Sequence, residues 1–229
     1  EIKQCLQDMT LTPEQEQLVR DMEDDLQSVF SVVQVRVREV VQRAQGQGEW
    51  LQFDPREIED NLKQVLAAIA KNSHGRFGIV FDPGEQTADH YLVNMHISSG
   101  CRECITMPGL LQDCLRDLTA NARKYTDPGG VIEVQLEQRQ DEIFLQVQDN
   151  GWGIPEDEVE QAVDFGYRAS NVQAKSTRGG GFGLTKAYYV AQKFGGRMWI
   201  DSGLGRGTRV SISLPRPVDS GIEPSSLAR

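Results

Sequence analysis

The sequence predicts an α+β fold: a two-layer sandwich with helices on one face of a largely antiparallel sheet, preceded by a long N-terminal helix. Three observations predict it. An unbroken apolar stripe of helical period runs from Leu18 to Ala44. The period switches toward two from Phe77 onward. Strand-like and helix-like runs then follow one another in mixed order rather than in strict alternation, which favours an α+β layering over a doubly wound sheet.

In chain order, residues 1–11 form a mixed lead-in, and Thr12-Pro13-Glu14-Gln15 marks a helix start. Thr12 is its N-cap, Pro13 its first helical residue, and Gln15 closes a capping box. No Gly or Pro follows until Gly46, and Leu18, Met22, Leu26, Val29, Val33, Val37, Val40 and Ala44 recur at a mean step of about 3.7, one continuous stripe. A helix so patterned buries its stripe in a bundle, and a dimer with its own copy is the favoured partner over its own globular domain. After Gly46-Gln47-Gly48, Phe53-Asp54-Pro55 opens a second amphipathic helix to about Lys71. Residues 77–81 and 91–97 read as strands, residues 108–125 as a helix, and 131–137 with 142–148 as an antiparallel hairpin. A Gly-rich, mobile stretch covers 149–181, a helix runs to about Phe194, and strands at 197–201 and 208–214 close the domain. The expected division is a helical dimerisation or linker segment at 1–52, a domain at 53–215 and a disordered tail at 216–229.

The chain has 229 residues, with 24 basic and 34 acidic side chains and a net charge of −10. That excess of acid argues against nonspecific nucleic-acid binding, which requires clustered Lys and Arg. No apolar run approaches the ~18–20 residues of a membrane span, so no membrane contact is expected of this segment. Cys5, Cys101, Cys104 and Cys114 are too few for a disulfide scaffold and suit a reducing, cytoplasmic setting. The pair Cys101/Cys104, near His96 and Cys114, offers a metal or redox site in one reading and an ordinary loop in the favoured one. The chain opens on Glu1, as a processed chain or a piece of a longer one would.

Three segments carry candidate chemistry. On a helix, Asp117, Asn121 and Lys124 share a face, so a carboxylate, an amide oxygen and an ammonium are available to a hydrated Mg²⁺ and the phosphates it bridges; an exposed polar face is the plain alternative. Asp149-Asn150-Gly151-Trp152-Gly153-Ile154-Pro155 follows a strand. Its glycines permit close approach to a flat ligand, and Asp149 can accept from an exocyclic amine such as that of adenine, where guanine presents a carbonyl; a simple turn is the alternative. Gly179-Gly180-Gly181-Phe182-Gly183-Leu184 leads into a helix whose N-terminal amides suit phosphate.

In this order, the three segments resemble the ATP-binding domain of histidine kinases and their relatives in the gyrase, Hsp90, histidine kinase and MutL superfamily. Asn121 with Ala122, Lys124, Tyr125 and Thr126 resembles the N box, and the Asp149 segment the G1 box. Phe165-Gly166-Tyr167-Arg168 is similar to the F box and the Gly179 segment to the G2 box, while Gly203-Leu204-Gly205-Arg206-Gly207-Thr208 matches the closing segment. The resemblance implies a Bergerat-type ATP-binding sandwich with ATP and Mg²⁺ as cofactors. It implies Asn121 as the metal ligand, Lys124 on phosphate, and Asp149 on the adenine amine with Thr208 beside it. Tyr125, Gly151, Gly153 and Ile154 belong to that pocket. A lid carrying Gly179, Gly181, Phe182, Gly183 and Leu184 is flanked by Phe165 and Arg168. The implied activity is phosphoryl transfer from ATP to a histidine and on to a response regulator, in a cytoplasmic homodimer or the cytoplasmic part of a longer sensor.

Two departures qualify the resemblance. Asp117 stands where many histidine kinases have Asn; hydrolytic relatives place a carboxylate there, which leaves Asp117 as either a general base or a partner of Mg²⁺ waters or Lys124. Met22-Glu23-Asp24-Asp25-Leu26-Gln27-Ser28 resembles an H box with Glu23 or Asp24 where the phosphoacceptor histidine belongs. His74, His90 and His96 lie outside such a context. Autophosphorylation in the usual manner is therefore not expected, and the rival readings are an ATPase or protein serine kinase using Asp117 as base, or a non-catalytic relative that regulates a partner.

Overall fold

The computed structural model describes residues 50–73, 75–100, 102–173 and 181–217. The long helix expected from Thr12 to about Gly46, with Glu23 and Asp24, lies outside them. So do His74, Cys101, Arg178, Gly179, Gly180 and the tail from 218.

Helix α1 (Pro55–Lys71) starts where the sequence places it. Asp54 caps it by accepting the Arg56 amide hydrogen at 2.8 Å, and Pro55 occupies the first turn, where no amide hydrogen is missed. Ile58, Leu62 and Leu66 recur every fourth residue and form its buried face. Helix α2 (Gly109–Lys124) buries Leu111, Cys114, Leu115, Leu118 and Ala122 on the sheet. Helix α3 (Ser170–Gln173) is a single turn, and α4 (Gly183–Lys193) lays Ala187, Val190 and Ala191 into the same core.

The strands are β1 (Trp50–Phe53), β2 (Gly78–Val80), β3 (His90–Ser98), β4 (Ile105–Pro108), β5 (Val131–Gln138), β6 (Glu142–Asp149), β7 (Arg197–Gly203) and β8 (Gly207–Pro215). Six of them form one sheet in the order β2-β3-β5-β6-β8-β7. Alternation decides which face is covered: Ile132, Val134 and Leu136 of β5, Ile143, Leu145 and Val147 of β6, and Val210, Ile212 and Leu214 of β8 are all buried beneath the helices.

Three features differ from the sequence reading. The sheet is mixed, because β2, β3 and β5 run parallel and only the β5-β6-β8-β7 half is antiparallel. The connection from β3 to β5 passes through β4 and α2, a crossover long enough to carry the chain back to the starting end of the sheet, as parallel neighbours require. A separate two-stranded sheet pairs β1 with β4, so the expected boundary at 52/53 falls inside a strand. Strand β4 is buried on both faces and shows no alternation to read. The stretch expected to be unstructured from 149 holds two 3-10 turns, Glu156–Glu158 and Gln161–Val163, as well as α3. Arg216, assigned to the tail, is tied back to the β5-β6 turn through its amide on the Asp141 carbonyl oxygen at 2.9 Å.

Candidate functional site

At the end of the sheet where β6 finishes, a cleft opens between α2, the β6 and β8 ends and the segment around α3. Leu118, Ala122, Val147, Ile154, Leu184 and Val210 give it apolar walls. The site residues arrive there by register. Asp149 is the last residue of β6 and pairs with Thr208 on β8. Asn121 stands in the last turn of α2, and Tyr125 caps that helix.

Asp149 is the polar floor of the cleft. Its Oδ1 accepts the Gly151 amide at 2.9 Å and the Thr208 amide at 3.2 Å, and no backbone donor among the described residues reaches Oδ2. Burial raises its pKa to about 6, against the pull of those two amides and of the Thr126 hydroxyl. A buried acceptor beside apolar walls suits a flat heteroaromatic ring that presents an amine.

The loop after Asp149 is built against the end of α2. The Trp152 amide donates to the Tyr125 carbonyl oxygen at 2.9 Å, the Trp152 indole donates to Asp127 at 2.8 Å, and the two rings meet edge to face. Gly153 adopts φ +71°, and a Cβ there would lie 1.9 Å from the Gly203 carbonyl oxygen, so only glycine lets the loop close on the β7-β8 turn. Ser202, which sequence reasoning missed, locks this junction. Its Oγ accepts the Ile154 amide at 2.8 Å and donates to the Gly207 carbonyl oxygen at 2.9 Å. With its one hydrogen spent, it accepts from the Thr208 hydroxyl, also at 2.9 Å.

Asn121 meets the N-terminus of α4. A Cβ at Gly183 would stand 2.5 Å from Asn121 Nδ2 and 3.7 Å from Oδ1, so the amide nitrogen faces α4 and the oxygen is turned away from it. Asp117, one turn earlier on α2, does not line the cleft. Its Oδ2 accepts a hydrogen bond from Lys186 Nζ, and its Oδ1 lies 3.3 Å from Arg116 Nε. Lys186 is thus its ammonium partner, not Lys124, one of the alternatives the sequence left open; Lys124 Nζ lies over the Tyr125 ring, 4.9 Å from its centroid.

Across the cleft stand Tyr167 and Arg168 of the segment that resembles the F box, together with Asn171, which the sequence did not single out. Glu158 holds this strap in place: it accepts from the Tyr167 hydroxyl and the Ser170 amide, each at 2.8 Å, and from the Ser170 hydroxyl. Those donors hold its carboxyl below the usual range. Phe165 and Phe182 lie outside the cleft as an exposed ring pair 4.7 Å apart, next to Gly181. Among the described residues, no cluster of three or more His, Cys, Asp or Glu is set to hold a metal; Cys114 is buried in α2 and Cys104 is half-buried.

The residues present fit an adenine nucleotide with its magnesium ion. Asn171 Oδ1, a buried side-chain oxygen in the cleft wall, has no hydrogen-bond partner among the described residues, which a polar group of a ligand would supply. Mg²⁺ takes oxygen ligands, and Asn121 Oδ1 is turned from the neighbouring helix.

Layering, strand order and this cleft define a nucleotide-binding domain of the two-layer ATPase type. Residues 107–218 match the family model described as histidine kinase-, DNA gyrase B-, and HSP90-like ATPase. The chain carries a histidine-kinase-type ATP-binding domain of that superfamily. It is 34% identical over 103 residues to the sensor histidine kinase WalK of Bacillus subtilis, covering 44% of this chain and 17% of WalK. It is 27% identical over 195 residues to the adaptive-response sensory kinase SasA of Synechococcus elongatus, covering 84% of this chain and 46% of SasA. The chain therefore spans less than half the length of these relatives. Among solved structures, full-length ShkA in complex with AMPPNP superposes with a TM-score of 0.57 at 20% identity, covering 92% of this chain and 40% of that one.

Proposed function

We propose that this chain is the ATP- and Mg²⁺-binding catalytic part of a two-component sensor histidine kinase, acting in the cytoplasm as a homodimer through its N-terminal helix and passing the phosphoryl group to a response regulator. The observation that carries this reading is Asp149, a buried acceptor at the floor of an apolar cleft with Asn121 beside it. Asp149 selects adenine through its amine, supported by Thr208, Gly151 and Gly153. Ile154, Tyr125 and Leu184 enclose the ring and sugar. Asn121 holds the magnesium ion, which supplies charge neutralisation on the triphosphate. Lys124, Arg168 and the amides from Gly179 to Gly183 surround the phosphates, and Phe165 and Phe182 flank the lid. The AMPPNP bound by ShkA supports a triphosphate ligand for the shared fold.

The reaction moves the γ-phosphoryl group from ATP to an imidazole nitrogen, breaking the bond to the bridging oxygen and releasing ADP. This domain contributes position and charge, not a covalent intermediate of its own. Glu23 or Asp24 at the acceptor position of the first helix makes no stable phosphoryl carrier, so the accepting histidine is supplied by another chain. Incubation of the full chain with γ-labelled ATP and Mg²⁺ tests this. The chain alone should acquire no acid-labile label. A chain of the same type carrying Asp24→His should acquire it, stable to base. Label in the unaltered chain, or rapid release of free phosphate without label in either, would contradict the reading.

A further inference from the structure

Helices α2 and α4 touch through two rungs that lie one turn apart on each helix. The first is the contact of Gly183 with Asn121, close enough that a Cβ would displace the Asn121 amide. The second is the ion pair of Lys186 with Asp117, four residues before Asn121 and three after Gly183. Both side chains of that pair are mostly buried, 18% and 17% exposed. Lys186 Nζ also lies 3.5 Å from the Asp113 carbonyl oxygen, and Arg116 bridges Asp113 and Asp117 at 3.3 Å to each. A pair with its remaining hydrogen-bonding capacity met in this way holds one geometry, whereas an exposed one would not.

We propose that Lys186 and Asp117 are positioning residues: their ion pair fixes the height and rotation of the α4 N-terminus against Asn121, and so sets the phosphate and metal end of the cleft without touching its adenine end. Ala187, Val190 and Ala191 seat α4 in the core, but at its N-terminal turn Gly183 has no side chain to key it against α2, which leaves that turn free to shift or roll. The second rung removes that freedom. Because Lys186 holds Asp117, that carboxylate serves the scaffold and is not available to deprotonate a nucleophile. The adenine end depends on hydrogen bonds of Asp149, Thr208 and Ser202, whereas the polar partners of the pair among the described residues are Asp113 and Arg116 of α2.

This inference rests on the nucleotide-site reading above, and calorimetry of the full chain separates the two. The probes are ATP with Mg²⁺ and adenosine, which reports on the Asp149 end alone. Lys186→Met should weaken ATP with Mg²⁺ about tenfold and leave adenosine within about twofold, the span expected for loss of one coupled pair. Lys186→Arg should restore most of the loss, and Asp117→Asn combined with Lys186→Met should bind no more weakly than Lys186→Met alone. That double variant buries no charge, so it carries the same comparison should Lys186→Met fail to fold. Unchanged ATP affinity in Lys186→Met, or an equal loss for adenosine, would overturn the latch and spare the site reading. No binding of either probe by the unaltered chain would overturn both.

Discussion

Asp149 is the residue on which recognition and stability pull in opposite directions. Its folded-state pKa of about 6 lies above the ordinary 3.8, so the empty fold keeps the proton more tightly than the unfolded chain does. The stabilisation from that proton is complete below about pH 3.8 and is lost as pH rises through about 6, at a cost on the order of 3 kcal/mol. Asp149→Asn keeps an oxygen for the two amides and removes the charge. In urea unfolding without nucleotide it should be more stable than the unaltered chain at pH 7.5, by a margin that shrinks by more than half at pH 4.5. Nucleotide affinity should move the other way, falling about tenfold per pH unit below about 6, because the ionised carboxylate is the acceptor. A pH-independent difference between the two proteins would show that Asp149 is not buried as described. Asp149 and Asn121 were legible in the sequence because each sits in a run whose glycines or helical spacing point to a ligand. Ser202, Glu158 and Lys186 were not, because each acquires its role from a partner brought near by folding: Ile154 is 48 positions from Ser202, and Asp117 is 69 from Lys186.

At the scale of elements, the helices and the β5-β6 hairpin follow from caps and periodicity. Asp54-Pro55 starts α1 where expected, and alternation sets the inner face of the hairpin. Strand β4 escaped notice because Ile105, Thr106 and Met107 are buried on both faces, and Thr106 satisfies its amide on the buried Gln138 side chain at 2.7 Å. A polar residue serving a strand from inside the core leaves no alternating trace. The parallel half of the sheet escaped for another reason: strand direction is fixed by how α2 carries the chain across, not by the residues of the strands. The loop after β6 is more exacting. Gly153→Ala places a methyl group 1.9 Å from the Gly203 backbone oxygen at a positive φ, so the two loops must part. The expected cost is about 2 kcal/mol or more in chemical denaturation, together with a loss of nucleotide binding. A variant with unchanged midpoint and affinity would mean that this junction does not close the cleft.

For the molecule as a whole, the acidic balance of −10 places any attraction for triphosphate in local structure rather than in the overall field. Among the described residues, no helix is long and apolar enough to cross a membrane. In the reading proposed above, nucleotide binding comes from the convergence, at one end of one sheet, of a buried carboxylate, an amide oxygen and the N-terminus of α4. The most direct test is calorimetric titration of the full chain with ATP and with GTP, each with Mg²⁺ at pH 7.5. ATP should bind with a measurable heat at one site per chain, and GTP should bind at least about a hundredfold more weakly, because guanine turns a carbonyl oxygen toward the Asp149 carboxylate. Equal affinity for the two nucleotides, or no heat from ATP on folded protein, would contradict the account.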